Sequence, residues 1–339
     1  MKKNYNALIV RKKGRVFTKS IETCLIDDLP KNDILIRVHF SSVNYKDYMS
    51  CDGHPAVTRR FPHTPGIDAS GIIEESNSPD FCKGEKVIVV SCAMGMNLAG
   101  GFGQYISVPA KWVMKLDDNL SLAESMAYGT AGYTAALSIE AILKNTSKLN
   151  TLNNNAEIYN SQVIVSGATG GIGCIATAML SQLGYSITAV TGNLDAKNIL
   201  TDIGASEILD RSELEAKSGQ NLFTPKWDSA IDVAGGQILS NVLKMIKDNG
   251  LVVATGMAKD THFDANVLPF ILRGITLIGI NAENTSMQYR EQVWRKMSTI
   301  WKPSNFKKLY QTISLQDLPE FMNKGNQNKP FGRTIIDMR

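Results

Sequence analysis

The stretch Ser161-Gln-Val-Ile-Val-Ser-Gly-Ala-Thr-Gly-Gly-Ile-Gly173 decides the fold of this chain. Val163 to Val165 form a β-branched run, which is typical of a strand buried on both faces. The glycines that follow permit a tight turn and let backbone come close to a ligand. From Ile172 onward apolar residues recur at helical spacing until Gly184, where a helix would end. A strand, a glycine turn and a helix in this order predict a dinucleotide site, with the pyrophosphate on free N–H groups at the helix N-terminus.

Composition excludes several other classes of protein. A chain of 339 residues suits two domains, and 43% hydrophobic residues with a formal charge of +4 are ordinary for a globular protein. No long basic run indicates a nucleic-acid partner, and no apolar stretch reaches the length of a membrane span or forms a signal peptide. The five cysteines are scattered and odd in number, so reduced thiols and a cytoplasmic location are expected.

The pattern of elements divides the chain near residue 125. Short strands separated by Pro- and Gly-bearing turns are predicted before it, at 7–10, 34–39, 71–74, 85–90 and 104–108. Residues 123–143 have a helical pattern, and the Asn- and Ser-rich segment 144–160 is expected to be a surface loop. Alternating strands and helices follow, with strands at 162–166, 186–190, 207–209, 229–233, 251–254 and 276–280, and helices up to 183, at 195–203 and at 237–247. This alternation predicts a parallel, doubly wound sheet, and the last strand, 332–336, is expected to rejoin the first domain.

Six further motifs occur in order along the chain: Asn44-Tyr-Lys-Asp47, Phe61-Pro-His-Thr-Pro-Gly-Ile-Asp68, Gly129-Thr-Ala-Gly-Tyr-Thr134, Thr191-Gly-Asn193, Ile203-Gly-Ala205 and Pro269-Phe-Ile-Leu-Arg273. Together they resemble the medium-chain dehydrogenase/reductase superfamily, in its zinc-free, quinone-oxidoreductase-like branch, and within it the NADPH-dependent acryloyl-CoA reductases. The resemblance covers nearly the whole chain except 144–160. It implies an α/β fold with a GroES-like β-rich catalytic domain at 1–125, completed by 281–339, and a Rossmann NADP-binding domain at 126–280.

The same motifs argue against a metal. Zinc-containing members of the superfamily have Gly-His-Glu after a proline, where this chain has Gly66-Ile67-Asp68 and therefore no imidazole. Cys51 and His54 form a tempting pair, but a catalytic zinc needs three protein ligands and a structural zinc four. We therefore expect no metal site.

The end of the second strand of the nucleotide domain distinguishes the two nicotinamide cofactors. An acidic residue about 20 positions after the glycines would bind the 2′-hydroxyl of NAD. The chain has Thr191-Gly192-Asn193 instead, and the resemblance adds Arg211 to this pocket, although a solvated surface charge is the alternative reading. We therefore predict NADP(H), because an arginine suits a 2′-phosphate and a carboxylate would repel it. The cofactor contacts predicted from the glycine turn and the resemblance are Tyr45, Thr130, Thr169, Gly170, Gly171, Ile172, Thr191, Gly192, Asn193, Arg211, Met257, Ile271 and Asn281.

The nicotinamide end is less visible in the sequence. Asn44-Tyr-Lys-Asp47 could be a polar turn that closes its own backbone hydrogen bonds. The resemblance instead implies that Tyr45 lies beside the nicotinamide, as a cofactor contact and candidate catalytic residue. For Thr130 the alternative to a cofactor contact is helix packing.

The resemblance implies reduction of the C=C bond of acryloyl-CoA to propanoyl-CoA, with hydride transfer to the β-carbon. Tyr45, a backbone N–H or a cofactor hydroxyl could stabilise the enolate oxygen. Lys46, Arg59 and Arg60 are the predicted contacts of the CoA phosphates, with solvated charges as the alternative. Two other functions remain open: a quinone or enone reductase, and a non-catalytic NADPH-binding sensor. The resemblance also implies a homodimer, in which the strand 276–280 would be the edge strand that pairs across a two-fold axis.

Overall fold

A computed structural model describes residues 3–152, 161–217, 219–325 and 330–339, with backbone alone for 148–152. The chain forms two compact units. The first unit comprises Met1–Thr130, Thr285–Ser298 and Tyr310–Arg339, and the second comprises Ala131–Asn284 and Thr299–Leu309. The segment 299–309 therefore belongs to the second unit, whereas the sequence analysis places it with the first. None of the described helices combines the length and the apolar character that crossing a membrane requires.

The first unit is rich in β-structure. A two-stranded hairpin accompanies a seven-stranded sheet of order β14-β15-β3-β4-β5-β7, in which β6 pairs with β3. Its strands are β1 (Asn4–Lys13), β2 (Val16–Leu25), β3 (Ile34–Ser42), β4 (Ala69–Ser76), β5 (Lys86–Val89), β6 (Tyr105–Val108), β7 (Met114–Lys115), β14 (Tyr310–Ser314) and β15 (Arg333–Asp337). Its helices are α1 (Tyr45–Cys51), α8 (Met287–Ser298) and α9 (Leu318–Asn323).

The central strand β3 shows why this sheet forms. Ile34, Ile36 and Val38 are buried in one apolar cluster, while Arg37 between them is exposed, as the two-residue period of a strand requires. The predicted strands of this region are present, and β15 pairs with β3, so the predicted return of the chain is confirmed. Three strands of this unit, β2, β7 and β14, and its helices α1, α8 and α9 were not predicted from the sequence.

The helix α2 (Leu122–Leu152) corrects one expectation. Residues 144–152, predicted to lie in a loop, continue this helix, and 153–160 lie outside the described residues. The polar residues Thr146 and Ser147 fit into this helix because their hydroxyls donate to the backbone carbonyls of Ile142 and Leu143 one turn earlier, at 2.9 Å each. The helix is broken near its start at Gly129, whose φ of 52° is not helical.

The second unit contains a six-stranded parallel sheet of order β10-β9-β8-β11-β12-β13. The strands are β8 (Gln162–Ser166), β9 (Ser186–Thr191), β10 (Glu207–Asp210), β11 (Trp227–Asp232), β12 (Ile246–Ala254) and β13 (Thr276–Gly279). The helices are α3 (Gly171–Gln182), α4 (Lys197–Asp202), α5 (Ser212–Glu215), α6 (Gly236–Leu243) and α7 (Leu268–Arg273). All six predicted strands are present; the predicted helix 237–247 ends at Leu243, because 246–247 already belong to β12. The strand order reverses between β8 and β11, and ligands of such sheets bind at the carboxyl ends of the strands there.

Candidate functional site

The glycine turn lies at this switch point, between β8 and α3. Gly167 has a φ of 62°, and α3 begins directly after Gly170. A side chain on Gly173 would place its Cβ 2.3 Å from the carbonyl oxygen of Gly167 and 2.8 Å from Cα of Ala168. Only glycine therefore allows this close packing of turn against helix. The first N–H groups of α3 have no partners within the helix, which suits a pyrophosphate.

The end of β9 brings predicted residues from two strands together. Thr191 lies opposite Asp210 in the parallel register, and the Arg211 N–H donates to the Thr191 carbonyl at 3.0 Å. The Arg211 side chain lies directly over Gly192, where an added Cβ would be 2.4 Å from Nε. Arg211 also pairs with Glu215 at 3.6 Å. The Arg211 guanidinium, the Thr191 hydroxyl and the backbone of Gly192, which has no side chain, thus lie close together.

Hydroxyl contacts join this place to the glycine turn. The Thr169 and Thr191 hydroxyl oxygens are 3.2 Å apart, and the Asn193 N–H donates to the Thr191 hydroxyl at 2.9 Å. The structure therefore groups 169–172 with Thr191, Gly192, Asn193 and Arg211 in one polar region of the second unit. This arrangement fits an adenosine with a 2′-phosphate.

A buried pair that sequence analysis missed fixes the carboxyl ends of β8 and β11. The Ser166 hydroxyl donates to the Asp232 carboxylate at 2.6 Å and accepts the Val233 and Ala234 N–H groups at 2.9 and 3.2 Å. The other Asp232 oxygen accepts the Gly235 N–H at 2.7 Å. Burial raises the pKa of Asp232 above its ordinary value. The two strand ends at the switch point are thus held together by side chains rather than by the sheet alone.

Three other predicted cofactor contacts also lie in the second unit. Met257 follows β12, and its side chain is 45% exposed. Asn281 follows β13, and its side-chain oxygen accepts the Glu283 N–H at 3.1 Å. Ile271 lies on α7 and is 68% exposed. Met257 and Asn281 therefore lie at the carboxyl edge of the sheet, where a cofactor would bind; their contact with a cofactor stays a prediction.

In the first unit, Asn44-Tyr-Lys-Asp47 forms the start of α1. The Asn44 N–H donates to one Asp47 oxygen at 2.7 Å, and the other oxygen accepts the N–H groups of Gly66 and Ile67 at 3.1 and 3.0 Å. Burial raises the pKa of Asp47 to about 7, against these backbone donors. Tyr45, the first residue of the helix, is 42% exposed. The motif thus closes its own hydrogen bonds and at the same time presents Tyr45 to the surface of its unit.

A second buried carboxylate, Asp68, contacts four residues from three other segments of the first unit. One of its oxygens accepts the Ser42 hydroxyl and the Asn44 side-chain amide at 2.8 Å each, and the Thr130 N–H at 2.9 Å. The guanidinium of Arg333 lies 3.7 Å away, and both charged side chains are almost fully buried. Arg333 also donates to the Asn44 side-chain oxygen at 3.1 Å, so both ends of this amide are fixed. Sequence analysis missed this cluster, because Asp68 and Arg333 lie far apart along the chain.

The break in helix α2 at Gly129 leaves room for the Asp68 carboxylate. A Cβ on Gly129 would lie 2.4 Å from the Asp68 carboxylate, and the break frees the Thr130 N–H to reach it. The Thr130 hydroxyl donates to the other Asp68 oxygen at 2.6 Å and accepts the Ser91 N–H at 2.9 Å. These contacts favour the packing alternative for Thr130 over a cofactor contact through its hydroxyl proton.

The ionisable side chains around Gly66-Ile67-Asp68 are engaged in contacts within the first unit. Asp68 is committed to Arg333 and to neutral donors, and the buried His63 contacts the Gly95 carbonyl through Nε2 at 3.0 Å. Burial lowers the pKa of His63. Across the described ranges, no three His, Cys, Asp or Glu residues come together in a way that could hold a metal ion.

The predicted substrate contacts occupy two places in the first unit. Lys46 is half-buried on α1, next to Tyr45. Arg59 and Arg60 are exposed in the loop that follows this helix. The Arg59 guanidinium donates to the Pro55 carbonyl at 2.7 Å, which orders the loop but leaves most of its donors available.

Comparison with known proteins agrees with this geometry. Residues 30–118 match the model of the alcohol dehydrogenase GroES-like domain, and residues 171–299 match that of the zinc-binding dehydrogenase family. The putative quinone oxidoreductase YhfP of Bacillus subtilis is 36% identical over 335 residues, covering 98% of this chain and 99% of the relative. The acrylyl-CoA reductase AcuI of Ruegeria pomeroyi is 31% identical over 337 residues, with the same coverage.

Solved structures extend the likeness to three dimensions. The yhdH oxidoreductase of Salmonella enterica, in complex with NADP, superposes with a TM-score of 0.91 at 32% identity and covers 98% of this chain and 100% of its own. The yhfP protein of Bacillus subtilis, with NAD bound, gives a TM-score of 0.92 at 36% identity and covers 99% of both chains.

Proposed function

Because the chain belongs to the medium-chain dehydrogenase/reductase superfamily, we propose that this oxidoreductase uses NADPH to reduce the C=C bond of acryloyl-CoA, giving propanoyl-CoA. The likeness to AcuI over 98% of the chain supports the substrate. The single structural observation that carries the cofactor choice is the Arg211 side chain lying over Gly192, at a strand end that bears a threonine instead of a carboxylate.

The second unit would hold the cofactor through the groups described above. The glycine turn 167–173 and the free N–H groups of α3 suit the pyrophosphate. Arg211 supplies the charge, and Thr191 the hydrogen bonds, for a 2′-phosphate. Met257, Ile271 and Asn281 are the further contacts of the cofactor in this proposal.

The bound nicotinamide supplies a hydride to the β-carbon of the enoyl thioester. Negative charge then develops on the thioester oxygen, and a proton must reach the α-carbon to complete the reduction. Tyr45 is the side chain proposed to donate a hydrogen bond to that oxygen, since the residue is 42% exposed and begins a helix whose first turn is fixed by the hydrogen bond between Asn44 and Asp47. A donor fixed before the reaction stabilises developing charge better than a mobile one. Lys46, Arg59 and Arg60 are the proposed contacts of the CoA phosphates.

A quinone or enone reductase is the second candidate function. It is favoured by the 36% identity to the putative quinone oxidoreductase YhfP. Such an enzyme needs an apolar slot but no cations for phosphates. A non-catalytic NADPH sensor would use the second unit in the same way and would have no use for Tyr45.

The proposal includes a cytoplasmic homodimer. The strand β13 ends the six-stranded sheet, and edge strands of this kind can pair across a two-fold axis. Light scattering at micromolar concentration measures this directly, and a monomeric mass would exclude the dimer.

The decisive experiment follows NADPH absorbance with acryloyl-CoA, crotonyl-CoA and a simple quinone side by side, with NADH as the alternative donor. Fast turnover of acryloyl-CoA with NADPH, and a fall in kcat in Tyr45→Phe of about 10²-fold, are expected, as for loss of one donor to a developing oxyanion. Preference for the quinone would replace the proposal with the second candidate. NADPH binding with no turnover of any acceptor would favour the sensor.

A further inference from the structure

At the closed end of the β1–β2 hairpin, one cation lies over a pair of packed phenyl rings, and two more precede the second ring along the chain. Lys12 lies opposite Phe17 in the antiparallel register, and its ammonium is 5.6 Å from the centre of the Phe17 ring. The Phe17 ring packs against Phe61, with the two centres 5.2 Å apart and the planes at 61°. Arg59 and Arg60 immediately precede Phe61 along the chain. We call Lys12, Phe17, Arg59, Arg60 and Phe61 the hairpin cluster.

The charges of the hairpin cluster are not balanced. The neighbouring acidic residues have other partners, since Glu22 binds Arg11 at 2.7 Å and Asp52 binds Lys19 at 3.3 Å. Within the described part of the chain, no ion pair links a carboxylate to any of the three cations of the cluster. Uncompensated cations beside half-buried aromatic rings are suited to an anion that carries a flat apolar group.

The cluster also lies within reach of Tyr45. An added Cβ on Gly53, just beyond the end of α1, would be 2.0 Å from the Phe17 ring, so the loop after this helix packs directly on the cluster. Tyr45 begins α1, and the hairpin cluster packs just beyond the other end of this helix. Because the seven residues of α1 cover only about 10 Å, Tyr45 and the hairpin cluster are a short distance apart. A substrate with a reactive group at one end and phosphates at the other could use both.

We propose that the hairpin cluster binds the adenosine 3′,5′-bisphosphate end of a CoA thioester. The purine would lie on the phenyl rings, and Lys12, Arg59 and Arg60 would bind the phosphates. The inference rests on the proposed acyl-CoA substrate, and it adds a subsite in which Lys12, Phe17 and Phe61 join the two arginines.

The test uses adenosine 3′,5′-bisphosphate as the probe and the full-length protein. Calorimetry should detect binding that weakens with added salt, because exposed charges are screened. Lys12→Gln and Arg60→Gln should each weaken it about tenfold, as expected when a phosphate loses one charged hydrogen bond. The matched control is Lys13→Gln, since Lys13 is the next residue of β1, opposite Val16, and points to the other face of the hairpin. This control should bind the probe normally.

Kinetics separate this inference from the proposed function. In Lys12→Gln the KM for acryloyl-CoA should rise about tenfold more than the KM for acryloyl-N-acetylcysteamine, which lacks the nucleotide. Turnover of acryloyl-CoA without probe binding, or equal effects of Lys12→Gln and Lys13→Gln, would overturn the hairpin cluster while leaving the reductase intact. Probe binding that depends on Lys12, without turnover of any acyl-CoA, would support the cluster and reject the reductase.

Discussion

The two units organise their polar sites in opposite ways. In the second unit the glycine turn is contiguous in sequence, and its function follows from local backbone geometry around Gly167 and Gly173. In the first unit the cluster around Asp68 is assembled from distant segments, because one carboxylate contacts four residues that come from three other parts of the chain. A local site can be recognised from its motif. A distributed site depends on the whole fold and should fail as a unit when one member is removed.

The largest effect is expected from Asp68→Asn. This change leaves the buried Arg333 guanidinium without its carboxylate, which typically costs about 3–5 kcal/mol of unfolding free energy. Urea unfolding measures the loss. Adding Arg333→Gln to Asp68→Asn should recover part of it, because the unpaired buried charge is then gone.

The control for this prediction is the exposed pair of Arg11 and Glu22, where Glu22→Gln should change stability far less. If Asp68→Asn were as mild as that surface change, the cluster around Asp68 would not hold the first unit together.

The glycine turn should give the next largest effect, and a graded one. Gly173→Ala forces a Cβ against backbone atoms at 2.3 and 2.8 Å, and overpacking of this kind costs about 1–3 kcal/mol. Gly170→Ala meets only the Gly167 carbonyl at 3.3 Å, with an ordinary φ of −84°, and should cost clearly less stability than Gly173→Ala. Thermal unfolding of both variants without cofactor tests the contrast. Equal melting temperatures would mean that the turn relaxes, so that close packing does not explain Gly173.

These contrasts show which features the sequence could reveal. Two strands of the parallel sheet, β8 and β9, were predictable because they are short runs rich in β-branched residues and are mostly buried on both faces. The strand β2 was missed because it is at most half buried and carries polar residues on both faces, such as Lys19 and Glu22. The helix α1 is only seven residues long and depends on Asp47 and on contacts from Gly66 and Ile67.

The same reasoning applies to the candidate site. The resemblance to the family, rather than the spacing of the residues, placed Arg211 beside Thr191, and the structure brings the two residues together. The pairing of Asp68 with Arg333 could not be predicted, since no periodicity or spacing relates two such distant residues. Thr130 belongs to a motif that predicted a cofactor contact. A motif does not distinguish a contact with a ligand from a contact within the protein, such as the hydrogen bond that the Thr130 hydroxyl donates to Asp68.

Asp47 should make the free energy of unfolding depend on pH, with an effect between those expected for Asp68→Asn and for Arg211→Gln. Burial raises its pKa from 3.8 to about 7, so between these values the folded chain holds a proton that the unfolded chain has released. The free energy of unfolding should therefore be highest below pH 4 as far as this group is concerned, and fall by about 1.4 kcal/mol per pH unit toward pH 7. Asp47→Asn removes this contribution. Urea unfolding at pH 5 and pH 7 should show a steeper loss in the wild type by about 2 kcal/mol, whereas parallel losses would mean that Asp47 stays ionised throughout.

The smallest effect, and the most specific, is expected at Arg211. Its guanidinium is about half exposed and shares its charge with Glu215, so its attraction to a 2′-phosphate is moderated by solvent. Arg211→Gln should raise the KM for NADPH about tenfold, equivalent to about 1.4 kcal/mol, and leave the KM for NADH unchanged. Lys226→Gln is the matched control, because Lys226 precedes β11, pairs with Glu207 at the amino end of β10 and lies at the opposite edge of the same sheet. If Arg211→Gln weakened both cofactors equally, Arg211 would support the shape of the loop rather than recognise a phosphate, and the preference for NADPH would have to come from Thr191 and the backbone around Gly192.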